Sequence, residues 1–482
     1  MIDIGSRLAR HKLLPFTMSE SAEILKQQFS QSLGLPWTDI LPASRLEELL
    51  KEEAFSYRNR IYSPIVTLWA MLYQVLSADK SLRNTVKCIT TWLTAAGIQP
   101  PSSDTGAYSK ARSRFPESLL QRLIPESAEC LAQPLSPEHL WCGRPVKVYD
   151  GTTVLMADSA ANQASYPQHG NQTAGCGFPI ARLVVFFCLV TGAVASACIA
   201  SWDTSEIVMS RLLYQDLEVG DVVMADQAYG SYVDLAIIQQ HRADGVLRKH
   251  HARKTDFRKG NKHGIGDHQV TWHKPAQRPE HMSEQDFALI PQTLVVREVC
   301  LRLSLKGFRD QHIIVVTTLL DAQRYSAGQL TRLYGWRWPV AEVNLRHLKT
   351  TLKMEMLSAK TPDMVRKDIW VHLLGYNLLR SLMELAAPLA DNARTQLSVQ
   401  GARQHFNQML ALLATANRAT RKRLFTHLLE TMAADLLPSR PNRHEPRVVK
   451  RRPKSFPRMR QPRSALKANT KSDLYNPDMM HY

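Results

Sequence analysis

The segment Leu183–Trp202, with sequence LVVFFCLVTGAVASACIASW, carries no charged residue over 20 positions. A run of that length is long enough to cross a bilayer as a helix. The sequence also fits a second structure, because Thr191-Gly192 lies at its centre and Val, Phe, Ile and Cys dominate the flanks. Two buried strands joined by a tight turn explain this pattern better, since no asymmetry of positive charge flanks the segment. We therefore predict a sheet core, with a membrane span as the alternative.

The neighbouring segments alternate between strand and helix patterns. A strand is predicted over the residues that surround Asp150, and a short buried strand over GDVVMAD, which ends at Asp226. Helices are predicted after each, the first capped by Asp203 or Thr204. Strands alternating with helices indicate a mixed α/β sheet with helices packed on it.

Five regions follow from the changes in pattern along the chain. Residues 1–140 are predicted to be helical, residues 141–250 form the first part of the α/β core, and residues 251–325 form a β-rich insertion. Residues 326–437 complete the core with further helices, and residues 438–482 form a basic, Pro-rich tail that we expect to be extended.

The N-terminal region allows two interpretations. Ser19–Leu33 and Ser44–Tyr57 show helical periodicity, each opened by a Ser that could cap the helix. Lys110, Arg112 and Arg114 accompany a further helix, so the region could dock on DNA. A helical bundle with solvated charges explains the same residues equally well.

Charge points to the class of partner. The chain has 61 Lys or Arg against 43 Asp or Glu, a net charge of +18. An excess of this size favours a polyanion, most simply nucleic acid. The stretch Pro438–Lys467 supplies ten of these charges, and such tails commonly contact phosphates. The seven cysteines form no C-x-x-C motif, and the first residues, MIDIGSRLARHKLLPF, lack the apolar core of a signal peptide. We therefore expect no signal peptide, reduced thiols and a cytoplasmic, nucleoid-associated location.

Three acidic residues occupy positions suited to chemistry. Asp150 interrupts an apolar strand, Asp226 ends another, and Glu342 is predicted in the first turn of a helix that begins near Pro339. Each alone could be a cap or a turn residue. Together they are the hard oxygen ligands that Mg²⁺ prefers, and a pair of such ions can drive phosphodiester cleavage.

The predicted helix after Pro339 also carries cations. Arg346, Lys349 and Lys353 follow Glu342 at spacings of four, seven and eleven residues, which places all four on one helical face. This stripe suits a phosphate backbone lying beside the metal ions, although an ordinary solvated surface would show the same spacing.

Four motifs in this order resemble a known family. They are Asp150-Gly-Thr-Thr, GFPIARLVVFFCLVTGAV, DVVMADQAYGSY and YGWRWPVAEVNLRHLKTTL, and the likeness spans residues from about 100 to 460. The chain is similar to the bacterial insertion-sequence transposases of the DDE type, in the group with a Tyr-Arg-Glu-Lys signature, the insertion sequence four family.

The resemblance implies a fold, a reaction and partners. The fold would be an RNase H-like core with a β-rich insertion, and the reaction cut-and-paste transposition with Mg²⁺, for which Mn²⁺ can substitute. Water would cut at the transposon end, the freed 3′-hydroxyl would form a hairpin, and the opened end would join target DNA. A homodimer would pair two double-stranded ends that carry inverted repeats.

The resemblance also assigns residues. Asp150, Asp226 and Glu342 would be the catalytic metal ligands, and Tyr334, Arg337 and Lys349, with the neighbouring Arg346, would contact DNA. Two positions depart from the family pattern: four residues instead of three separate Arg337 from Glu342, and Gln227 stands where an Arg usually follows the second Asp. An inactive DNA-binding derivative and an RNase H-like nuclease without strand transfer are the rival interpretations.

Overall fold

The computed structural model describes residues 37, 39–58, 60–95, 99–100, 102–303, 311–391, 394–438 and 458–470. The chain divides into two compact units. The first, called the helical unit, combines residues up to Leu131 with Ile369–Leu437. The second, called the sheet unit, combines Ala132–Asp368 with the segment from Pro438 onward.

The helical unit is built around apolar helices. Its Trp37 ring stacks on Trp69 with centroids 5.7 Å apart and lies 5.2 Å from Phe406. The segment SPIVTLWAMLYQVL, whose almost wholly apolar sequence predicts a buried helix, forms the helix Pro64–Leu76, and nearly every residue of that helix is buried. The helices in this unit are Ala43–Glu52, Pro64–Leu76, Leu82–Ala95, Gly106–Arg114, Glu117–Ala132, the part of Pro362–Ala386 from Ile369, Val399–Thr415 and Arg418–Ala434.

Two local predictions in this unit change. The helix Ala43–Glu52 begins one residue before Ser44, so Pro42 occupies the cap position and the predicted serine cap is wrong. Arg112 is buried and lies 5.7 Å from the ring centre of Tyr108, so it packs inside the unit and does not face a partner. The helix predicted over residues 19–33 lies outside the described residues.

A large mixed sheet forms the second unit. Its order in the described residues is β3-β2-β1-β4-β5-β9-β8-β7-β6, with β10 beside β1. Strands β1, β4 and β5 are parallel, whereas β2, β3 and the strands beyond β5 are antiparallel to their neighbours. The strands are β1 Val146–Met156, β2 Ile180–Cys188, β3 Val194–Ser201, β4 Val222–Ala225, β5 Asp244–Arg248, β6 Asn261–Gly264, β7 Asp267–His273, β8 Thr293–Leu303, β9 Gln311–Thr317 and β10 Met356–Leu357.

The uncharged segment is a hairpin inside this sheet. Strands β2 and β3 pair antiparallel, and Gly192 turns the chain with a φ of 67°, a conformation that glycine adopts without strain. The prediction of two strands joined by a turn is confirmed; β2 is largely buried, whereas most residues of the edge strand β3 are half-buried. Among the described residues, no helix is both long and apolar enough to cross a membrane.

The strands predicted between residues 251 and 325 are also present. Strand β9 pairs with β5, so β6 to β9 continue the same sheet instead of forming a separate one. Trp272, Val296 and Val316 share one buried cluster with Tyr149 and Val223. The added strands therefore stabilise, through apolar contact, the strands that carry the acidic residues.

The helical segment after β9 differs from its prediction. It runs as Ala327–Gly335 and Arg337–Arg346, so Pro339 is its third residue after Trp336 and Glu342 lies in the second turn. A π-helical turn, His347–Thr351, follows, with Leu352 N–H donating to the His347 carbonyl at 2.8 Å. Lys353 lies beyond it with a φ of 51°. The prediction that Glu342 and the cations up to Lys353 share one helical face is wrong, because the wider π turn interrupts the 3.6-residue period of the α-helix.

The remaining helices show which of the predicted helix caps are correct. Ser205, and not Asp203 or Thr204, caps the helix Glu206–Leu213 by accepting from the Ile207 N–H. Thr361 precedes Pro362, a sequence pattern that predicts a helix cap at Thr361, and the structure confirms it, since the Thr361 hydroxyl accepts from the Met364 N–H at 3.4 Å. The described part of the tail contains the helix Arg463–Thr470, so that part is not extended. The sheet unit also contains Ala160–Ser165, Tyr232–Gln240 and Glu284–Leu289.

Candidate active site

The strand register brings Asp150 and Asp226 side by side. Strands β1 and β4 run parallel with Val146 opposite Val222, Lys147 opposite Val223 and Val148 opposite Met224. The same register, carried two residues further, sets Asp150 opposite Asp226. Neighbouring strands lie about 4.8 Å apart, and residues in register point to the same face of a sheet. Asp226 thus follows the carboxyl end of β4, where open α/β sheets place their sites, and Asp150 lies beside it in the middle of the longer strand β1.

Asp226 lies between two guanidinium groups. Arg337 Nη2 is 3.8 Å from Asp226 Oδ2, and Arg248 Nη1 is 3.9 Å from Asp226 Oδ1. The Arg337 side chain is 6% exposed, whereas those of Arg248 and Asp226 are 39% and 42% exposed. Asp226 Oδ1 is itself buried and has no hydrogen-bond partner in the described residues. An oxygen of this kind is costly unless a cation or a donor approaches it.

Asp150 shows the electrostatic link among the three acids. Burial raises the pKa of the Asp150 carboxyl to about 6, while the Gly151 N–H, donating to Oδ1 at 2.8 Å, opposes the rise. The nearby charge of Arg337 also lowers this pKa, and the charges of Glu342 and Asp226 raise it. The structure therefore brings Glu342, Asp226 and Arg337 within electrostatic reach of Asp150.

Tyr334 connects the Glu342-bearing segment to the sheet. Its hydroxyl donates to the carbonyl of Ala225, the residue before Asp226, at 3.2 Å, and its side chain is buried. Ser326 and Gln329 form a reciprocal capping box at the start of the same segment. Tyr334 thus positions helix and strand, and its predicted contact with DNA stays a prediction. Arg346 is exposed, and Lys349 is half-buried in the π turn.

The opposite face of the sheet holds residues that the sequence analysis missed. Gly151 follows Asp150 and points away from it, and a Cβ atom there would lie 2.5 Å from the carboxyl carbon of Glu206. Glu206 accepts from the Tyr229 hydroxyl at 2.9 Å and lies 3.8 Å from Arg182. Tyr229 follows Asp226 by three residues, so Glu206 contacts the segments that carry both aspartates.

Sequence signals existed for some of these residues. Arg248 is the last residue of β5, and Asp226 directly follows β4. Because the carboxyl ends of parallel strands meet at one edge of a sheet, a strand prediction for both segments places Arg248 near Asp226. Glu206 had no such signal, because nothing in the local pattern distinguishes it from an acidic residue at a helix start. Gln227, the residue that stands where the family usually has an Arg, hydrogen-bonds His251 at 2.9 Å.

The donor set fits a divalent ion in part. The oxygens of Asp150 and Asp226 are hard ligands, and the buried, unpartnered Asp226 Oδ1 has the character of a metal ligand. Across the part of the chain that the structure describes, no three Asp, Glu, His or Cys side chains lie close enough to hold one ion. The two aspartates therefore form the prepared half of a site, and Glu342 stands on the adjoining helix.

Comparison with known proteins matches this region. Residues 141–378 match the transposase DDE domain family, whose members use divalent metal ions. The chain is 24% identical over 426 residues to the transposase InsG for insertion sequence element IS4 of Escherichia coli (strain K12), covering 87% of this chain and 92% of that protein.

A solved structure shows a distant likeness. The cryo-EM structure of the piggyBac transposase synaptic complex with hairpin DNA aligns over 87% of this chain and 85% of its own, with 7% identity and a TM-score of 0.38.

Proposed function

We propose that this chain, which belongs to the DDE transposases of the insertion sequence four family, cleaves DNA at transposon ends and joins the freed ends to target DNA. The proposal includes an RNase H-like core, supported by the strand order β3-β2-β1-β4-β5 with β2 antiparallel to β1. Strands β6 to β9 would then be the family's insertion, placed between the second Asp and the Glu.

One observation carries this proposal. The parallel register of β1 and β4 runs up to Val148 and Met224, two residues before Asp150 and Asp226, and the charges of Asp226 and Glu342 both raise the pKa of Asp150. Three acids separated by 76 and 116 positions in the sequence thus act on one another electrostatically, while no three acidic, His or Cys side chains of the described residues lie close enough to hold one ion. Carboxylates held on rigid strands and a helix are what a site for phosphodiester chemistry requires.

Asp150, Asp226 and Glu342 would hold the divalent ions, Mg²⁺ in the cell with Mn²⁺ able to substitute. Bound ions would supply Lewis-acid activation of the attacking oxygen and neutralise charge at the scissile phosphate. Arg337 and Arg248 hold the Asp226 carboxylate from both sides and fix its direction. Arg337 is the buried member of the pair, so it orients Asp226 from within, whereas Arg248 is open to a phosphate.

The DNA would lie along the exposed side of the Glu342-bearing segment. Arg346 is exposed on this segment one turn after Glu342, and Lys349 follows in the π turn. Arg346 and Lys349 would contact phosphates near the cut, whereas the buried Arg337, the remaining cation of the signature, would orient Asp226. A homodimer that pairs two ends and a hairpin intermediate complete the proposed cut-and-paste reaction.

The test uses purified full-length protein and a duplex taken from the DNA flanking its gene, including any short inverted repeat there. With Mg²⁺ we expect nicking at the repeat boundary, a hairpin product and then joining to a target plasmid. Asp226→Ala should lose nicking and keep DNA binding. Asp158→Asn is the matched control, because Asp158 is an exposed acid at the far end of the same β1 region, bonded to Gln163 at 2.9 Å.

The products separate the rival functions. Binding without nicking by the unaltered chain would identify an inactive DNA-binding derivative. Nicking without joined products, even from a precut 3′-hydroxyl donor, would identify a nuclease. Nicking that survives Asp226→Ala would refute the assigned site.

A further inference from the structure

A short basic hairpin projects an isolated apolar residue. Strands β6 and β7 pair antiparallel, with Asn261 opposite Gln269, and the tip between them is Gly264-Ile265-Gly266. Ile265 is fully exposed, although it is a large aliphatic side chain. The residues of β6 are exposed as well, so the hairpin extends into solvent.

The base of the hairpin is fixed. Gly260 enters β6 with a φ of 76°, where a Cβ atom would meet the Gln269 carbonyl oxygen at 2.1 Å. The buried His268 ring contacts the Lys259 carbonyl at 2.7 Å and Glu298 at 3.4 Å. Asp267, also buried, forms an ion pair with Arg297. Ile265 is therefore held at a defined position.

Trp272, further along β7, belongs to the same rigid base. The sequence allows this residue either to stack on an unpaired base or to pack inside the protein. The structure supports packing: Trp272 is 4% exposed, its indole N–H donates to Glu298 at 2.9 Å, and Arg253 covers its ring at 4.0 Å. If an apolar group from this region enters DNA, it is not Trp272.

The charge around the tip is positive. Lys262 and His263, in the strand that leads to the tip, are exposed, and Lys259 is exposed at the base of the hairpin. The two nearby acids do not pair with these lysines, because Asp256 pairs with Arg258 and Asp267 pairs with the buried Arg297. One lysine near the tip and one at the base thus share a narrow hairpin with one apolar residue, a combination suited to a phosphate backbone with a hydrophobic gap between base pairs.

We propose that Ile265 is a wedge that enters between stacked base pairs of bound DNA, while Lys259 and Lys262 contact the adjacent phosphates. The proposal rests on the proposed function, since it takes DNA as the partner. Aliphatic side chains used in this way partly unstack a base step and bend the duplex. A protein partner fits less well, because docking surfaces between proteins need a contiguous apolar patch and here two glycines flank a single side chain.

The experiment measures base unstacking without catalysis. Full-length protein is bound, in EDTA, to the gene-flank duplex carrying 2-aminopurine at successive positions, whose fluorescence rises where a base loses its stacking. We expect a rise at one step or two adjacent steps. Ile265→Ala should abolish the rise and change the Kd by less than about tenfold, because the phosphate contacts remain. Ile265→Met should retain it.

Two controls isolate the wedge. Leu289→Ala removes a comparably exposed aliphatic side chain elsewhere in the sheet unit and should leave the fluorescence unchanged. Lys262→Ala should lower the slope of log Kd against log salt by about one phosphate contact.

Two results overturn the wedge: a rise that persists in Ile265→Ala, or tight binding by the unaltered chain with no rise at any position. If that chain also nicks the duplex in Mg²⁺, only the wedge fails. Absence of all DNA binding overturns the wedge and the proposed function together.

Discussion

Replacing Gly151 by Ala should destabilise the sheet unit through one identifiable contact. The added Cβ would lie 2.5 Å from the Glu206 carboxyl carbon and 2.6 Å from Oε2. The carboxylate is the movable end of its side chain, so it would turn away and release the Tyr229 hydroxyl that donates to it at 2.9 Å. Tyr229 is 1% exposed, so water cannot replace the lost acceptor.

The magnitude follows from that loss. A buried hydroxyl left without a partner costs about 1–3 kcal/mol. Taking about 2 kcal/mol, and about 2–4 °C per kcal/mol for a unit of this size, the Tm should fall by about 4–8 °C. Differential scanning calorimetry of the full chain measures this shift. Gly170→Ala is the matched control, because no heavy atom lies within 4 Å of its added Cβ.

A second substitution tests the cause. In a Glu206→Ala background the obstructing carboxylate is gone, so Gly151→Ala should cost at least about 1 kcal/mol less than in the unaltered protein. If the stability losses of Gly151→Ala and Glu206→Ala are additive in the double variant, the contact is refuted. A Tm for Gly151→Ala equal to that of Gly170→Ala would also refute it.

Three further predictions concern the acids and the tail. Glu342→Gln should abolish nicking and leave DNA binding within about twofold, measured by gel shift, because it would remove a proposed metal ligand and no proposed phosphate contact; normal nicking would contradict its proposed role. Asp150→Asn should stabilise the protein in EDTA at pH 7.5 by up to about 3 kcal/mol, since the pKa rises from 3.8 to about 6 and the charged form is penalised above that range. This gain should shrink as pH falls through about 6 and vanish below about 3.8, where the carboxyl is protonated in both folded and unfolded states, and a calorimetric gain independent of pH would count against it. Removing Pro438–Tyr482 should reduce the salt dependence of DNA binding, because the cations of this segment would contact phosphates; an unchanged slope would exclude that contact.

The sequence alone determined the features that depend on short-range patterns. The hairpin of β2 and β3 was predictable because two apolar runs flank Thr191-Gly192, and a turn signal and strand period are both local. The positions of Asp150 and Asp226 relative to their strands were equally readable. Since parallel strands end at a common edge, their proximity could be expected before any coordinates.

Tertiary structure decided the features that depend on rotation and register. Arg337 and Glu342 are five residues apart, about 140° around an ideal helix, yet both act on Asp150. The π turn after Arg346 redirects Lys349 and Lys353, and a 3.6-residue period cannot reveal it. The packing of Ile369–Leu437 with the N-terminal helices was likewise absent from the local pattern.

The physical reason is the range of the interactions. Hydrophobic period, turn residues and caps act within about one or two turns of chain, so they are encoded where they occur. Glu206 and Gly151 are 55 positions apart in the sequence. They come into contact only because the helix Glu206–Leu213 packs on the sheet in one particular position. The packing of the whole apolar core sets the position of this helix, so the local sequence around Gly151 or Glu206 does not predict the contact.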